Sequence, residues 1–187
     1  ESRPFEVGNG WQCEGNLEAA GGSCVAICCN ANKYDSIVQY KAGPLMDAQQ
    51  PFCPQGYALT GGGFWDGTPM KDEDNFKPND YGTGWICHDD ASQNPSQCFA
   101  VCVRRKEPTD IISCSTVSKI APQDPGSEVL CPPGTFVTGG GFEDRTTSNK
   151  VQDVSMPNAN GTGWLCKKTG NDKEGDKANV CYARCCT

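Results

Sequence analysis

Two glycine runs are the first residues of this sequence whose type and spacing could do chemistry. Three consecutive glycines occur in CPQGYALTGGGF (53–64) and again in CPPGTFVTGGGF (131–142). A phosphate-binding Walker loop continues with Lys and Ser or Thr, and a dinucleotide-binding fingerprint opens a helix. Here Phe and then Trp or Glu follow the glycines, and no helical pattern continues. We therefore interpret the glycines as structural, allowing positive φ or close backbone approach at a strand end or bulge.

The remaining reactive residue types do not assemble into a catalytic constellation. The chain has one histidine, His88. A Ser-His-Asp or Cys-His site could therefore be assembled no more than once. Cysteine spacings of x3, x10 and x14 differ from the C-x2-C pairs of zinc sites. The cluster Asp72, Glu73 and Asp74 could offer paired carboxylates or bind calcium, but it lacks the alternating spacing of an EF-hand loop. We expect a solvated loop there, no enzyme activity and no cofactor, with calcium as the alternative.

The glycine runs belong to internal repeats. After each run, a Pro precedes a Trp by seven residues, a Cys follows two residues after that Trp, and the copy closes on C-x3-C. Equivalent landmarks recur every 78 to 83 residues, and residues 1–29 match only the second half of the pattern. We divide the chain into the second half of a first repeat (1–32), a second repeat (33–106) and a third repeat (107–187), together forming one module.

Short β-favouring segments separated by Pro and Gly run through the chain, for example SIVQY, TGWICH and NVCYARC. They predict an all-β, disulfide-rich, pseudo-threefold repeat fold, β-prism-like or sandwich-like, of which two and a half repeats are present. Trp11, Trp85 and Trp164 occupy equivalent positions and are expected in the core.

The repeat also predicts the disulfides. We pair the Cys after each Trp with the first Cys of C-x3-C, the CPxG Cys with the last Cys of C-x3-C, and the two cysteines that remain in the third repeat. These rules predict Cys13–Cys24, Cys87–Cys98, Cys166–Cys181, Cys53–Cys102, Cys131–Cys185 and Cys114–Cys186. Each bridge should contribute about 2–4 kcal/mol by restricting the unfolded chain. Cys28 and Cys29 are left over, and we expect them to bond to an upstream segment. The alternatives are free thiols or a vicinal bridge.

Composition indicates a secreted or cell-surface protein. Fourteen cysteines suit an oxidising compartment, and the net charge of −7 argues against nucleic-acid binding. No run of 18 apolar residues is present. The sequon Asn160-Gly161-Thr162 is a potential glycosylation site.

One loop differs between the repeats in a way that suggests a contact surface. FWDGTPMKDEDNF (64–76) carries Phe64, Trp65, Met70 and Phe76, whereas its counterpart FEDRTTSNKVQDV (142–154) is polar apart from Phe142 and two valines. An apolar departure of this kind favours contact with a ligand or membrane. The alternative is that Trp65 packs against a neighbouring repeat.

The segments CPQGYALTG and CVAICC resemble segments in the modules of the Cys/His-rich C-terminal domain of the proprotein convertase that controls the LDL receptor. The resemblance supports Cys114–Cys186 and Cys131–Cys185. The resemblance does not extend to the inner disulfide of each module. In that family this disulfide starts from a cysteine shortly after TG, where this chain continues with glycine. The pattern also resembles the C-terminal β domain of apicomplexan perforin-like proteins, a threefold β repeat that recognises membrane lipid through a protruding apolar loop. Both resemblances imply a scaffold used for non-catalytic binding.

From these observations we predict a non-catalytic, secreted binding module that recognises membrane lipid or a cell-surface receptor through the loop around Trp65 and Met70. One alternative is a structural building block of an extracellular matrix, filament or adhesive. Another is a carbohydrate-binding module that stacks exposed aromatic side chains on sugar.

Overall fold

The structure, a computed structural model, describes residues 2–4, 10–13, 24–28, 30, 32–43, 48–66, 75–88, 96–107, 111–121, 126–143, 154–167 and 179–187. Its regular structure within these ranges is entirely β, which confirms the predicted all-β, disulfide-rich class. Among the described residues, no helix has the length and apolar character needed to cross a membrane. The strands are β1 (Ser2–Pro4), β2 (Trp11–Cys13), β3 (Tyr34–Gly43), β4 (Ala58–Asp66), β5 (Asn75–Pro78), β6 (Trp85–His88), β7 (Ser96–Arg105), β8 (Cys114–Ala121), β9 (Ser127–Leu130), β10 (Phe136–Glu143), β11 (Val154–Pro157), β12 (Gly163–Lys167) and β13 (Asn179–Cys186).

The strands form three antiparallel sheets in which hairpins cross from one repeat to the next. The first sheet has the order β2-β1-β4-β7-β3, the second β6-β5-β10-β13-β8 and the third β11-β12-β9. The β1–β2 hairpin of residues 1–32 thus pairs with β4 of residues 33–106. The β5–β6 hairpin of residues 33–106 pairs with β10 of residues 107–187. Each of these two hairpins therefore extends the sheet of the repeat that follows it in the chain.

The two strands that carry the glycine runs, β4 and β10, have the same local geometry. We call them the glycine strands. Each pairs along its length with the strand that carries C-x3-C, β7 or β13, and each has a register shift at the first glycine. A Cβ on Gly62 would overlap the Trp85 indole, and a Cβ on Gly140 would overlap that of Trp164. The glycines are needed because an indole packs directly on the strand backbone, which agrees with their structural interpretation.

An aromatic cluster forms the centre of the core. The Phe76 ring lies 5.5 Å from Phe64, 4.7 Å from Phe142 in an edge-to-face arrangement, and 6.4 Å from Trp85, measured between ring centroids. Phe76 comes from β5, whereas Phe142 comes from the third repeat, so the cluster joins two repeats. Edge-to-face pairs add about 0.5–1.5 kcal/mol beyond the burial of their area.

Disulfides connect strands to one another and to the segments beside them. The structure contains Cys13–Cys24, Cys53–Cys102, Cys87–Cys98, Cys114–Cys186, Cys131–Cys185 and Cys166–Cys181. These are the six pairs that the sequence predicts. Cys28 is an exposed free thiol, and Cys29 lies outside the described residues. Most of the half-cystines of β6, β7, β12 and β13 are fully buried, so the bridges also fill the core.

A buried arginine links the second and third repeats. Arg184 of β13 is only 6% exposed, yet no carboxylate among the described residues forms an ion pair with it. Its guanidinium donates to the Leu59 carbonyl at 2.9 Å, to the Gly82 carbonyl at 3.0 Å and to the Thr116 hydroxyl at 3.0 Å. Burial lowers the pKa of Arg184 below its ordinary value. The equivalent position in β7 is Val101, so this contact is specific to one side of the repeat.

Candidate binding surface

The contact loop predicted from the sequence is only partly available to a ligand. Phe64 and Phe76 are 4% and 8% exposed and pack in the aromatic cluster, which corrects their assignment as surface contacts. Trp65 is half-buried, and the guanidinium of Arg3 lies over its ring at 5.6 Å from the centroid. This contact with β1 supports the alternative that Trp65 packs against the neighbouring repeat. Met70 lies outside the described residues.

A different part of the second repeat presents large aromatic side chains. Tyr81 is 88% exposed and Phe52 is 54% exposed. Phe52 precedes the CPxG turn, and Tyr81 lies in the turn between β5 and β6. The two segments run side by side, because Phe52 forms an antiparallel bridge with Gly84. We call Phe52 and Tyr81 together the aromatic end of the second repeat.

Hydrogen bonds hold the aromatic end in a defined shape. The Cys53 amide donates to the Thr83 carbonyl at 2.8 Å, which joins the CPxG turn to the hairpin turn. Within the hairpin turn, the Thr83 amide donates to the Asn79 side chain at 2.9 Å, and the Asn79 amide donates to the Gly84 carbonyl at 2.9 Å. Gly82 adopts φ of 64°, a conformation that glycine reaches without steric cost. The exposed rings therefore project from a braced turn, which lowers the entropy lost on binding.

The third repeat differs at the equivalent surface. Leu130 occupies the place of Phe52 and is also exposed, and Phe136 adds a second exposed apolar side chain nearby in the chain. The counterpart of Tyr81 is Asn160, the sequon residue, which is exposed in its turn. Tyr81 was not identified as a site residue from the sequence. Aligning the two hairpin turns would have found it, because the same position holds an aromatic in one repeat and a sequon in the other.

A charged cluster lies at the junction of the second and third repeats. Lys77 Nζ is 3.0 Å from Glu143 Oε2, and the Tyr182 hydroxyl donates to the same oxygen at 2.6 Å. Burial alone would lower the pKa of Lys77, but the hydrogen bond to Glu143 and the attraction of Tyr182 and Glu143 raise it overall. Burial, followed by the hydrogen bond to Glu143, raises the pKa of Tyr182. The three groups satisfy one another, so this cluster fits a structural role.

The other residues considered for chemistry are dispersed. His88 is half-buried at the end of β6, where it pairs with Asn75 in the strand register. Within the described ranges, no three His, Cys, Asp or Glu side chains are grouped to hold a metal ion. Outside the described residues lie the acidic residues of the predicted solvated loop, Asp72, Glu73 and Asp74.

Comparison with known proteins does not assign the chain to a family. No protein-family model and no curated protein matches the sequence.

Six disulfides in an all-β domain of this size indicate an oxidising environment. The architecture is consistent with an extracellular binding module.

Proposed function

We propose that this chain is a non-catalytic extracellular module that binds a cell surface through the aromatic end of the second repeat. The observation that carries the proposal is the exposure of Tyr81 and Phe52, 88% and 54%, on one braced end of a disulfide-stapled scaffold. Aromatic side chains are enriched in recognition surfaces because they bury a large area with few rotatable bonds. The use of twelve cysteines in disulfides supports a scaffold role for these residues rather than a catalytic one.

The target is proposed to be membrane lipid or a receptor protein at that surface. Tyr is enriched in the interfacial region of a bilayer, where its hydroxyl stays hydrated and its ring is buried, and Phe adds apolar area for insertion. The net charge of −7 opposes attraction to anionic lipid, so lipid binding would depend on apolar insertion into a zwitterionic surface. Trp65, which is half-buried, and Met70, which lies outside the described residues, remain a second candidate contact within the same proposal.

The test compares a Phe52→Ser, Tyr81→Ser double variant with wild type. Binding is measured by flotation with phosphatidylcholine vesicles and by flow cytometry on cultured animal cells, before and after the cells are treated with protease. We expect the double variant to bind at least about tenfold more weakly, because each ring contributes roughly 1.5–3 kcal/mol when fully buried. Loss of binding after protease treatment would identify a receptor, and vesicle binding would identify lipid.

Two control variants make the test specific. Ile120→Ser removes a similarly exposed apolar side chain from the edge strand β8 and should leave binding unchanged. Trp65→Ala with Met70→Ala tests the loop predicted from the sequence. If the Phe52, Tyr81 double variant keeps all six disulfides and binds as well as wild type, the aromatic end is not the binding surface. If wild type binds neither vesicles nor cells, the proposed function is wrong.

A further inference from the structure

We propose that residues 1–187 contain an acceptor site for one additional β-strand of the CPxG–GGGF type, which comes from outside these residues and bonds to Cys28. Such a site would bind by strand addition, in which backbone hydrogen bonds give affinity and side-chain fit gives specificity. The inference does not depend on the proposed cell-surface function. Three independent features of the fold point to the same strand.

The first feature is the pairing of the hairpins. The β1–β2 hairpin pairs with glycine strand β4, and the β5–β6 hairpin pairs with glycine strand β10. The β11–β12 hairpin is equivalent to both in sequence. Within the described part of the chain, however, β11 forms the edge of its three-stranded sheet. By the rule that the other two hairpins follow, the neighbour of β11 would be a third glycine strand.

The register identifies the point of contact. In the first sheet, Ser2 pairs with Phe64, the Phe of the GGGF motif. In the second sheet, Phe76 pairs with Phe142, the same residue of the motif. Ser2 and Phe76 both lie two residues before the Pro of their hairpins, and Ser155 has that position in the third hairpin. The Phe of the additional strand would therefore pair with Ser155.

The second feature is the state of residues 24–28, the C-x3-C segment of the first repeat. Their counterparts are β7 and β13, which pair along their length with the glycine strands. Residues 24–28 form no strand, and the apolar side chains of Val25 and Ile27 are exposed. In β7, the counterpart of Val25 is Phe99, which is buried. A glycine strand beside residues 24–28 would give their backbone the same partner that β7 and β13 have.

The third feature is the unused thiol. Cys102 and Cys185, the last cysteines of their C-x3-C motifs, bond to the CPxG cysteines Cys53 and Cys131. Cys28 is the equivalent cysteine, and it is free and exposed. The additional strand would bring a CPxG cysteine to it. The bond would form by exchange: the Cys28 thiolate attacks a mixed disulfide between that cysteine and a small thiol, which leaves as a thiolate and takes up the proton that Cys28 lost.

A second copy of this chain does not supply the strand. The sequence has three hairpins of the Pro–Trp type but only two GGGF segments, and both glycine strands already have a hairpin on one side and a C-x3-C strand on the other. Two copies would therefore have six hairpins for four glycine strands, so each copy would still lack one glycine strand. The occupant is therefore a strand other than β4 and β10, and we define it by its chemistry: a segment in which a CPxG cysteine is followed by a GGGF motif.

A synthetic peptide tests the site directly. The probe is CPPGTFVTGGGFE, the sequence of residues 131–143, prepared as its mixed disulfide with glutathione. We expect a one-to-one adduct at Cys28, identified by non-reduced mass and peptide mapping, together with slower amide hydrogen exchange at residues 24–28 and at Ser155. The Cys28→Ser variant should give the same exchange protection without the covalent adduct.

A matched control peptide carries Gly140→Ala. A Cβ at this glycine would overlap an indole in the known sheet, and Trp11 holds the equivalent position in the first hairpin. The control should bind about tenfold or more weakly than the glycine peptide. The proposal is overturned if the glycine peptide gives no protection, if the alanine peptide performs equally, if the adduct maps to another cysteine, or if Cys28 is consumed by forming a dimer of the chain instead.

Discussion

Replacing Arg184 with Val is expected to destabilise the protein by about 2–4 kcal/mol, because it leaves buried carbonyl groups without a donor. The guanidinium reaches from β13 to the Leu59 and Gly82 carbonyls of the second repeat and to the Thr116 hydroxyl of the third. Val is the residue at the equivalent position of β7, so the replacement itself suits the strand. What changes is the connection between the repeats.

The magnitude follows from opposing contributions. Hydrogen bonds to a charged group each contribute about 1.5–3 kcal/mol, whereas burying the cation without a carboxylate costs several kcal/mol. The Arg184→Val variant loses the stabilising hydrogen bonds and also avoids the cost of burying the cation. Each carbonyl group left without a donor then costs about 1–3 kcal/mol. Arg184→Lys retains the charge but offers a single donor centre in place of the planar fork, so we expect a smaller loss of about 1–2 kcal/mol.

The assay is equilibrium unfolding in guanidinium chloride with the disulfides intact, read by tryptophan fluorescence and far-ultraviolet circular dichroism. Arg104→Val is the matched control, because Arg104 is exposed and its ion pair with Asp35, at 3.3 Å, should contribute no more than about 1 kcal/mol. Faster hydrogen exchange in the turn around Gly82 should accompany the loss in the Arg184 variant. If Arg184→Val is as stable as wild type, desolvation of the cation outweighs its hydrogen bonds and the reasoning is refuted.

Two further predictions concern the glycine strands and the charged cluster. Gly62→Ala should destabilise the fold by about 1–3 kcal/mol, measured by the same unfolding assay, since Trp85 is fully buried and has no room to move away from a Cβ. An unchanged midpoint would contradict the close packing. The pKa of Tyr182 should lie above the ordinary tyrosine value of about 10 in a titration of absorbance at 295 nm, taken as the difference from a Tyr182→Phe variant, and Glu143→Gln should reduce the shift. Because folding raises the pKa of both Lys77 and Tyr182, their contribution to stability is complete below about pH 10 and decreases as pH rises through the folded-state values. A Tyr182 pKa at or below the ordinary value would refute the assignment.

The correction of Phe64 and Phe76 shows where reasoning from sequence stops. Both flank a loop rich in charged residues, and a large apolar side chain beside such a loop resembles an exposed contact. In the fold, Phe76 belongs to a hairpin that extends the neighbouring repeat, so its ring meets Phe142 from a segment far along the chain. No local pattern encodes that pairing, because strand alternation indicates which residues share a face but not which sheet covers it.

The amino-acid sequence by itself determined the β class and the six cysteine pairs. Both follow from short-range properties: β-branched and aromatic residues between Gly and Pro turns specify strands, and equivalent cysteines in successive repeats specify one pairing rule. Only the tertiary structure decided that hairpins cross between repeats, that Arg184 joins two of them, and that Tyr81 and Phe52 are exposed side by side at one end of the second repeat. These features depend on contacts between residues distant in the chain, whose burial and hydrogen bonding arise when the sheets come together.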